Sequence, residues 1–449
     1  MLIEKNQDYE VDIQDIGING EGIAKINGYT TFVKGALTGE KAKIKIVKAN
    51  KDYGYGKLLE IVSPSADREE PICHQFGRCG GCNLQHLNYE AQLKHKLEMV
   101  KSTLKKQLGY EPFIDEIIGM GIPYYYRNKA QYPVRNGKIG FYLDRSHDLI
   151  ENDVCYIQNE LTDKLAKVAF QVLMNNGITS YDERTGKGTL RHIITRVGVN
   201  TDETMLILVT NGNKLRNQEK IIQEIVNIYP GITSIIQNIN KDNTNVILGD
   251  ECVTLYGQDF IIDRLDNYKF KISPLSFYQV NPLQTEILYH TAKEFAELTG
   301  EEAIFDLYCG IGTISIFMAD SCKKVYGVEV VPQAIDNAKE NAEMNEIRNT
   351  EFFVGEVEEV LPKLYQKEIK PDVIFVDPPR KGCDNTTLET MINLKPQKLI
   401  YISCNPATLA RDLKTLTDAC FEIDKIKLVD MFPQTNHVET VVSLRKKMC

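Results

Sequence analysis

Apolar and polar positions alternate in short runs through the first 62 residues: VDIQDIGI, YTTFVKG, KAKIKIVKA and GYGKLLEIV. A period of two marks strands with one buried face, and Asn19-Gly20, Asn27-Gly28 and Thr38-Gly39 supply turns between them. Five or so such strands predict a compact barrel over residues 1–62. Ser63-Pro64-Ser65 reads as a linker, after which residues 88–108 change to helical spacing (Leu93, Leu97, Val100, Leu104, Leu108), closed by Gly109. Residues 111–265 mix short strands with helical patterns at 160–175 and 216–228.

From about residue 270 strands and helices alternate. The runs AIFDLY, KVYGVEV, DVIFVD and KLIYISC are strand-like, and Ala334, Ile335, Ala338 and Ala342 keep a helical period between two of them. This alternation predicts an α/β, doubly wound (Rossmann-like) parallel sheet, whose ligands gather at the carboxyl ends of its strands. The chain therefore divides into three segments, 1–62, 63–265 and 266–449.

Composition changes this picture little. The 449 residues carry a net charge of −9, which argues against a nucleic-acid binder basic over its whole surface. Charge is uneven, however: seven Lys between Lys34 and Lys57 oppose only Glu40 and Asp52. Lys43 and Lys45 alternate with Ile44 and Ile46, giving one basic face that is either a solvated surface or a grip on nucleic-acid phosphates. No apolar run is long enough for a membrane helix, and MLIEKNQDYEVD lacks the pattern of a secretory signal, so a cytoplasmic protein without membrane contact is expected. Eleven Cys, an odd number, in such a chain point to metal binding or catalysis rather than a disulfide scaffold.

The candidate chemistry lies at strand ends. Asp306-Leu-Tyr-Cys-Gly-Ile-Gly-Thr follows a strand and opens a helix, and Gly310 and Gly312 permit close backbone approach to a ligand. The third glycine of a dinucleotide fingerprint is replaced by Ser315, which weakens an NAD reading. Glu329 ends the next strand, where an acid can accept hydrogen bonds from both ribose hydroxyls. Asp377-Pro378-Pro379 fixes a further acid on a stiff turn. This ordered set resembles the S-adenosylmethionine-dependent methyltransferases.

Cys404-Asn405-Pro406 ends another strand, and Glu439 begins the last one. A thiol and a carboxylate near a methyl donor suit methylation of uracil carbon 5, which must be activated by nucleophilic addition at carbon 6 and later lose its proton. The blander readings are a core cysteine and an edge-strand charge. Ser276-Phe-Tyr-Gln279-Val-Asn, Asp306 to Gly312, Asp377-Pro-Pro-Arg-Lys-Gly382, Ser403 to Pro406 and His437-Val-Glu439 together resemble the RNA uracil-5-methyltransferases. The resemblance implies Cys404 as nucleophile and Glu439 as proton-abstracting base. It further implies that Gln279, Tyr308, Gly310, Glu329 and Asp377 line the cofactor site, with Asp377 also able to touch the uracil edge. Thr313 stands where some members have Asn, which puts one cofactor contact in question.

Cys73-x5-Cys79-x2-Cys82 lies on a glycine-rich loop, and Cys155 is the candidate fourth ligand. Zinc or no metal are open readings of four such thiols. The pattern resembles the [4Fe–4S] site of the 23S ribosomal RNA branch of the family, which also carries an N-terminal TRAM barrel. That resemblance implies a TRAM barrel, an α+β iron–sulfur central domain and a methyltransferase domain. It also implies 23S rRNA as the substrate; because methyl transfer consumes no electrons, the cluster is expected to be structural or RNA-positioning, and the protein is expected to be a monomer. Transfer RNA is the alternative substrate, and a non-catalytic RNA-binding iron–sulfur protein is the reading from another class. Tyr124-Tyr-Tyr-Arg127-Asn-Lys129-Ala-Gln-Tyr132-Pro-Val-Arg135 interleaves rings and cations, fitting either splayed RNA bases or buried tyrosines. A uracil in folded RNA would have to be flipped out to reach Cys404.

Overall fold

The computed structural model describes residues 3–144 and 146–447, which form two compact units. The first comprises residues 1–100, 142–148 and 432–437, and the second the remainder, so the units do not follow the three sequence segments.

In the first unit the strands Asp8–Ile16, Glu21–Ile26, Tyr29–Lys34, Lys41–Ala49 and Tyr53–Ser63 close a barrel in which the last two exchange places in spatial order. Val11, Ile13, Ala24, Val33, Ala42, Ile44 and Ile46 fill it, the inward half of each alternating run. Closure lays Asp8–Ile16 antiparallel to Lys41–Ala49, with Asp8 opposite Lys45 and Asp12 opposite Lys41. The basic face anticipated on Lys41–Ala49 is thereby partly neutralised: Lys41 pairs with Glu10 at 3.1 Å and Lys45 with Asp8 at 3.5 Å. Buried Glu40 anchors the next segment, accepting from Arg68 Nε at 2.6 Å and from Leu37 N at 2.8 Å. Residues 432–437 join this unit through Gln434, whose carbonyl accepts from Asn83 N and Leu84 N and whose side chain accepts from Gln92 Nε2 at 3.0 Å. A helix, Tyr89–Leu108, carries the anticipated apolar stripe.

The second unit contains two large sheets and a separate hairpin, Ile261–Leu265 with Tyr268–Ile272. The strands Glu251–Gly257, Ile232–Ile239, Thr204–Thr210, Leu190–Val197, Lys129–Arg135 and Lys138–Ile139 lie in that order, and the helices Glu160–Asn175 and Gln218–Ile228 share a core with them. The other sheet runs Thr350–Val354, Lys324–Glu329, Ala303–Leu307, Val373–Val376, Lys398–Ser403, Glu439–Lys446, Phe421–Val429, Ile117–Ile118. Its first five strands are parallel, and Glu439–Lys446 is antiparallel to both of its neighbours. Strand order reverses between Ala303–Leu307 and Val373–Val376, which opens a crevice at their carboxyl ends. Among the described residues no helix is long and apolar enough to cross a membrane.

Candidate active site

The turn after Ala303–Leu307 holds three residues in the left-handed region: Tyr308 (φ 65°), Gly310 (φ 54°) and Gly312 (φ 80°). Gly310 faces open space, since a Cβ there would meet nothing within 4 Å. Gly312 is needed for packing instead, because a Cβ would lie 3.1 Å from Ala338 Cβ and 3.2 Å from the Phe352 ring. A tyrosine held at positive φ is a local backbone cost of the kind that clusters at functional sites. The Tyr308 hydroxyl lies 3.4 Å from Thr387 Oγ1.

Glu329 is fixed from both sides. Its Oε2 accepts from Gly310 N at 3.2 Å and its Oε1 from Val331 N at 3.0 Å, leaving lone pairs on both oxygens for ribose hydroxyls. Below the turn, Asp306 is fully buried, and its Oδ2 accepts from Ser315 Oγ at 2.5 Å. The serine at the third glycine position therefore serves Asp306. Gln279 is buried, and its carbonyl accepts from Asn128 Nδ2 at 3.0 Å. Its segment is pinned by Asn337 Nδ2 donating to Ser276 Oγ (3.0 Å) and by Arg196 donating to the Ser276 carbonyl (2.6 Å). Thr313 Oγ1 sits 2.9 Å from the hydroxyl of buried Tyr289. An open glycine face beside a pre-aimed carboxylate fits the ribose end of S-adenosylmethionine.

Burial pushes the Asp306 carboxyl up to about 7. Unfolded, it would titrate near its ordinary 3.8, so the stability it contributes is present below about pH 4 and is lost as pH rises through about 7. Asp306→Asn, which keeps an acceptor for Ser315, is expected to make the ligand-free protein more stable than the parent at pH 8 by roughly 1–4 kcal/mol, and no more stable at pH 4. Thermal melts at the two pH values check this.

The chemistry residues gather at the neighbouring strand ends. Lys398–Ser403 delivers Cys404, and a helix, Pro406–Ala419, begins at once behind it: Asn405 Oδ1 caps Ala407 N at 3.1 Å and Pro406 fills the first turn. Ser403 is paired with Thr440, so Cys404 and Glu439 stand at the same edge. Glu439 is 4% exposed and its Oε2 has no hydrogen-bond partner. Burial, then the Asp377 carboxylate, pushes Glu439 well above the usual range, with Arg380 opposing. Asp377 is pushed up to about 7 by burial and by Asp306. The Cys404 thiol is pushed up to about 11, by burial first and then by Glu439 and Asp377, while Arg380 pulls it down. The Asp377 and Glu439 carboxylates thus both raise the Cys404 thiol, and Arg380 is the cation that opposes them at Cys404. Arg380, seen in the sequence only as part of a motif, was missed; the signal was a lone cation directly after Asp-Pro-Pro.

Other expected sites fare differently. Tyr126 and Tyr132 are buried, and the Tyr132 hydroxyl donates to Asp163 at 2.7 Å, so these two rings belong to the core rather than to RNA. Cys79 and Cys82 line a cavity of about 320 Å³ with Phe76 and His86, and Cys79 Sγ accepts from Gly81 N at 3.4 Å. Cys73 is close enough for its charge to raise the Cys79 thiol, which burial has already raised, and Cys155 lies in the second unit near Tyr132. Thiols suit iron or zinc, but among the described residues no three His, Cys, Asp or Glu side chains are grouped to hold a metal ion.

Comparison with known proteins bears on the family and the fold. Residues 4–59 match the TRAM domain, and residues 235–447 match the tRNA (uracil-5-)-methyltransferase family. An uncharacterized RNA methyltransferase of Clostridium tetani is 48% identical over 444 residues, 98% of this chain and 96% of that protein. One from Listeria innocua is 49% identical over 450 residues, 99% of each. Among solved structures, the Pyrococcus abyssi tRNA (uracil-54, C5)-methyltransferase in complex with S-adenosyl-L-homocysteine matches with a TM-score of 0.79 and 29% identity, covering 97% of this chain and 100% of that one. A barrel, a doubly wound sheet and relatives matching almost end to end lead to one conclusion: this chain belongs to the TRAM-containing family of S-adenosylmethionine-dependent RNA (uracil-5-)-methyltransferases.

Proposed function

We propose that this protein forms 5-methyluridine in 23S rRNA through a covalent bond between Cys404 and uracil carbon 6. The observation that carries the reaction is the placing of Cys404 and buried Glu439, whose Oε2 has no hydrogen-bond partner, at the same sheet edge as the Gly310–Glu329 cradle.

Tyr308, Gly310, Glu329 and Gln279 would hold S-adenosylmethionine, which would supply an electrophilic sulfonium methyl and be left as S-adenosylhomocysteine. Cys404 loses its proton to solvent and its sulfur adds to carbon 6. The electrons of the carbon 5–carbon 6 double bond move toward the carbon 4 carbonyl, and carbon 5 becomes the nucleophile that accepts the methyl. Glu439 then takes the carbon 5 proton, the double bond re-forms, and Cys404 is expelled as thiolate. Enclosure serves both groups: a raised carboxyl is a stronger base once ionised, and a raised thiol is a stronger nucleophile once deprotonated. Asp377, at the same edge, is assigned to the cofactor and to the uracil edge.

Arg380 opposes the charges that raise Cys404 and Glu439. With the thiol titrating near 11, kcat/KM is expected to climb as pH rises through neutrality. Arg380→Gln should move that rising limb to higher pH, lowering activity at pH 7.5 and restoring it in stronger alkali. A pH profile checks this; a uniform, salt-sensitive loss at every pH would instead mark Arg380 as a phosphate contact.

The choice of 23S rRNA rests on the cysteine loop and barrel of the sequence resemblance. The tRNA reading is favoured by the fold likeness to an enzyme named for tRNA uracil-54. Mapping 5-methyluridine in ribosomal and transfer RNA from a strain lacking the gene decides: loss confined to 23S rRNA supports the proposal, and loss confined to tRNA overturns it. An iron–sulfur cluster would draw thiolates from Cys73, Cys79 and Cys82, with Cys155 the candidate for the fourth. Anaerobically purified protein should then carry about four iron and four sulfide per chain; zinc or metal-free thiols would remove the cluster from the account.

A further inference from the structure

The barrel strand Tyr53–Ser63 opens Tyr-Gly-Tyr-Gly-Lys, and this alternation sorts the residues to two faces. The glycines point inward, where there is no room: a Cβ on Gly54 would lie 2.8 Å from the Lys48 carbonyl, and one on Gly56 2.8 Å from Ile44 Cδ1. The rings consequently point outward. Parallel pairing puts Phe32 beside Tyr55 and Lys34 beside Lys57. Phe32, Tyr53 and Tyr55 form a triangle of rings with centroids 5.8–6.0 Å apart. Tyr53 is 42% exposed, and Phe32 and Tyr55 are half-buried. Lys34, Lys48, Val47 and Lys57 border an open groove of about 520 Å³ with Phe32 and Tyr55.

Of the barrel's lysines, some are neutralised and others are not. Lys41 and Lys45 are taken up by Glu10 and Asp8, and Lys34 by Asp144 at 2.7 Å. Lys48 and Lys57 are exposed, and neither has an ion-pair partner among the described residues. Glu21 and Asp144 also line the groove, Asp144 being taken up by Lys34, so Lys48 and Lys57 are its lysines without an ion pair. Three outward-facing aromatic rings beside these two cations match the π-faces and phosphates of a single strand. A duplex hides its base faces and would leave the rings unused.

We propose that Phe32, Tyr53 and Tyr55 form a platform on which unpaired bases of the RNA substrate stack, with Lys48 and Lys57 holding the flanking phosphates. This rests on the assignment of RNA as substrate and adds a grip on single-stranded RNA away from the reacting uridine.

The test is anisotropy with the full-length protein and two probes: single-stranded oligoadenylate of about 12 nucleotides and an abasic ribose-phosphate strand of the same length. Tyr53→Leu with Tyr55→Leu should weaken oligoadenylate binding roughly 10- to 100-fold and leave the abasic strand unchanged. Tyr53→Phe with Tyr55→Phe should bind like the parent, because the ring face and not the hydroxyl does the stacking. Lys48→Gln with Lys57→Gln should weaken both probes and lower the salt slope by about two. The platform is overturned if the Leu variant binds oligoadenylate like the parent, loses the abasic strand equally, or if the Phe variant fails with it. Parent-like oligoadenylate binding by the Leu variant leaves methylation standing. Absence of 5-methyluridine formation by the parent leaves the platform standing.

Discussion

Cys404→Ala is expected to abolish methyl transfer, by at least ~10⁴-fold in kcat, while the protein folds and binds S-adenosylmethionine like the parent. In the proposed mechanism the sulfur forms and breaks the bond that makes carbon 5 reactive, and the neighbouring Asp377 and Glu439 are carboxyls that can move protons but not add to the ring. The side chain is also dispensable to the fold. Its strand is held by Tyr401, Ile402 and Ser403, all buried, and its helix by the Asn405 cap and Pro406. A thermal melt and a cofactor-binding titration separate lost chemistry from lost structure. Full activity in this variant would return Cys404 to an ordinary strand-end residue.

Glu439→Gln should produce a different defect. Addition of Cys404 and methylation of carbon 5 do not need the carboxylate, but removal of the carbon 5 proton does. Turnover is expected to fall by about 10²–10⁴-fold, with the protein–RNA adduct accumulating and tritium at uracil carbon 5 retained. A band of reduced mobility in denaturing gels, absent from Cys404→Ala and from the double variant, is the signature. The substitution is isosteric and removes a buried group that burial and Asp377 hold well above its ordinary range. Stability above neutral pH should therefore not fall, which keeps the kinetic reading clean. Inactive protein with no adduct would assign the missing base elsewhere, Asp377 first.

Much of this site was legible because an α/β sheet delivers its functional groups at strand ends, and strand ends can be read. Asp306 to Gly312, Glu329, Asp377, Cys404 and Glu439 all closed or opened an apolar run, and the structure brings them to one edge of one sheet. What stayed hidden depended on pairing between distant segments. Lys43 and Lys45 look basic only until Asp8–Ile16, with its acids, is laid alongside their strand. Tyr126 and Tyr132 look like stacking residues until the sheet places them inside. Ile117–Ile118, two residues long, carries no period, yet it extends the catalytic sheet beside Phe421–Val429. Residues 432–437 pack with the first unit through Gln434, a contact with Gln92 that 342 intervening positions conceal. The fold class followed from local pattern; the electrostatics, including the role of Arg380, followed only from three dimensions.

The sulfur–carbon bond itself gives the most direct measurement. Substrate RNA carrying 5-fluorouridine in place of uridine should trap the enzyme, because fluorine at carbon 5 cannot leave as a proton does and Glu439 has nothing to abstract. In the presence of S-adenosylmethionine, digestion and mass spectrometry should find a methylated fluorouridine attached to the peptide holding Cys404, in about one copy per chain. An adduct on any other residue, or normal methylation of uridine RNA by a protein that never forms the adduct, would contradict the account.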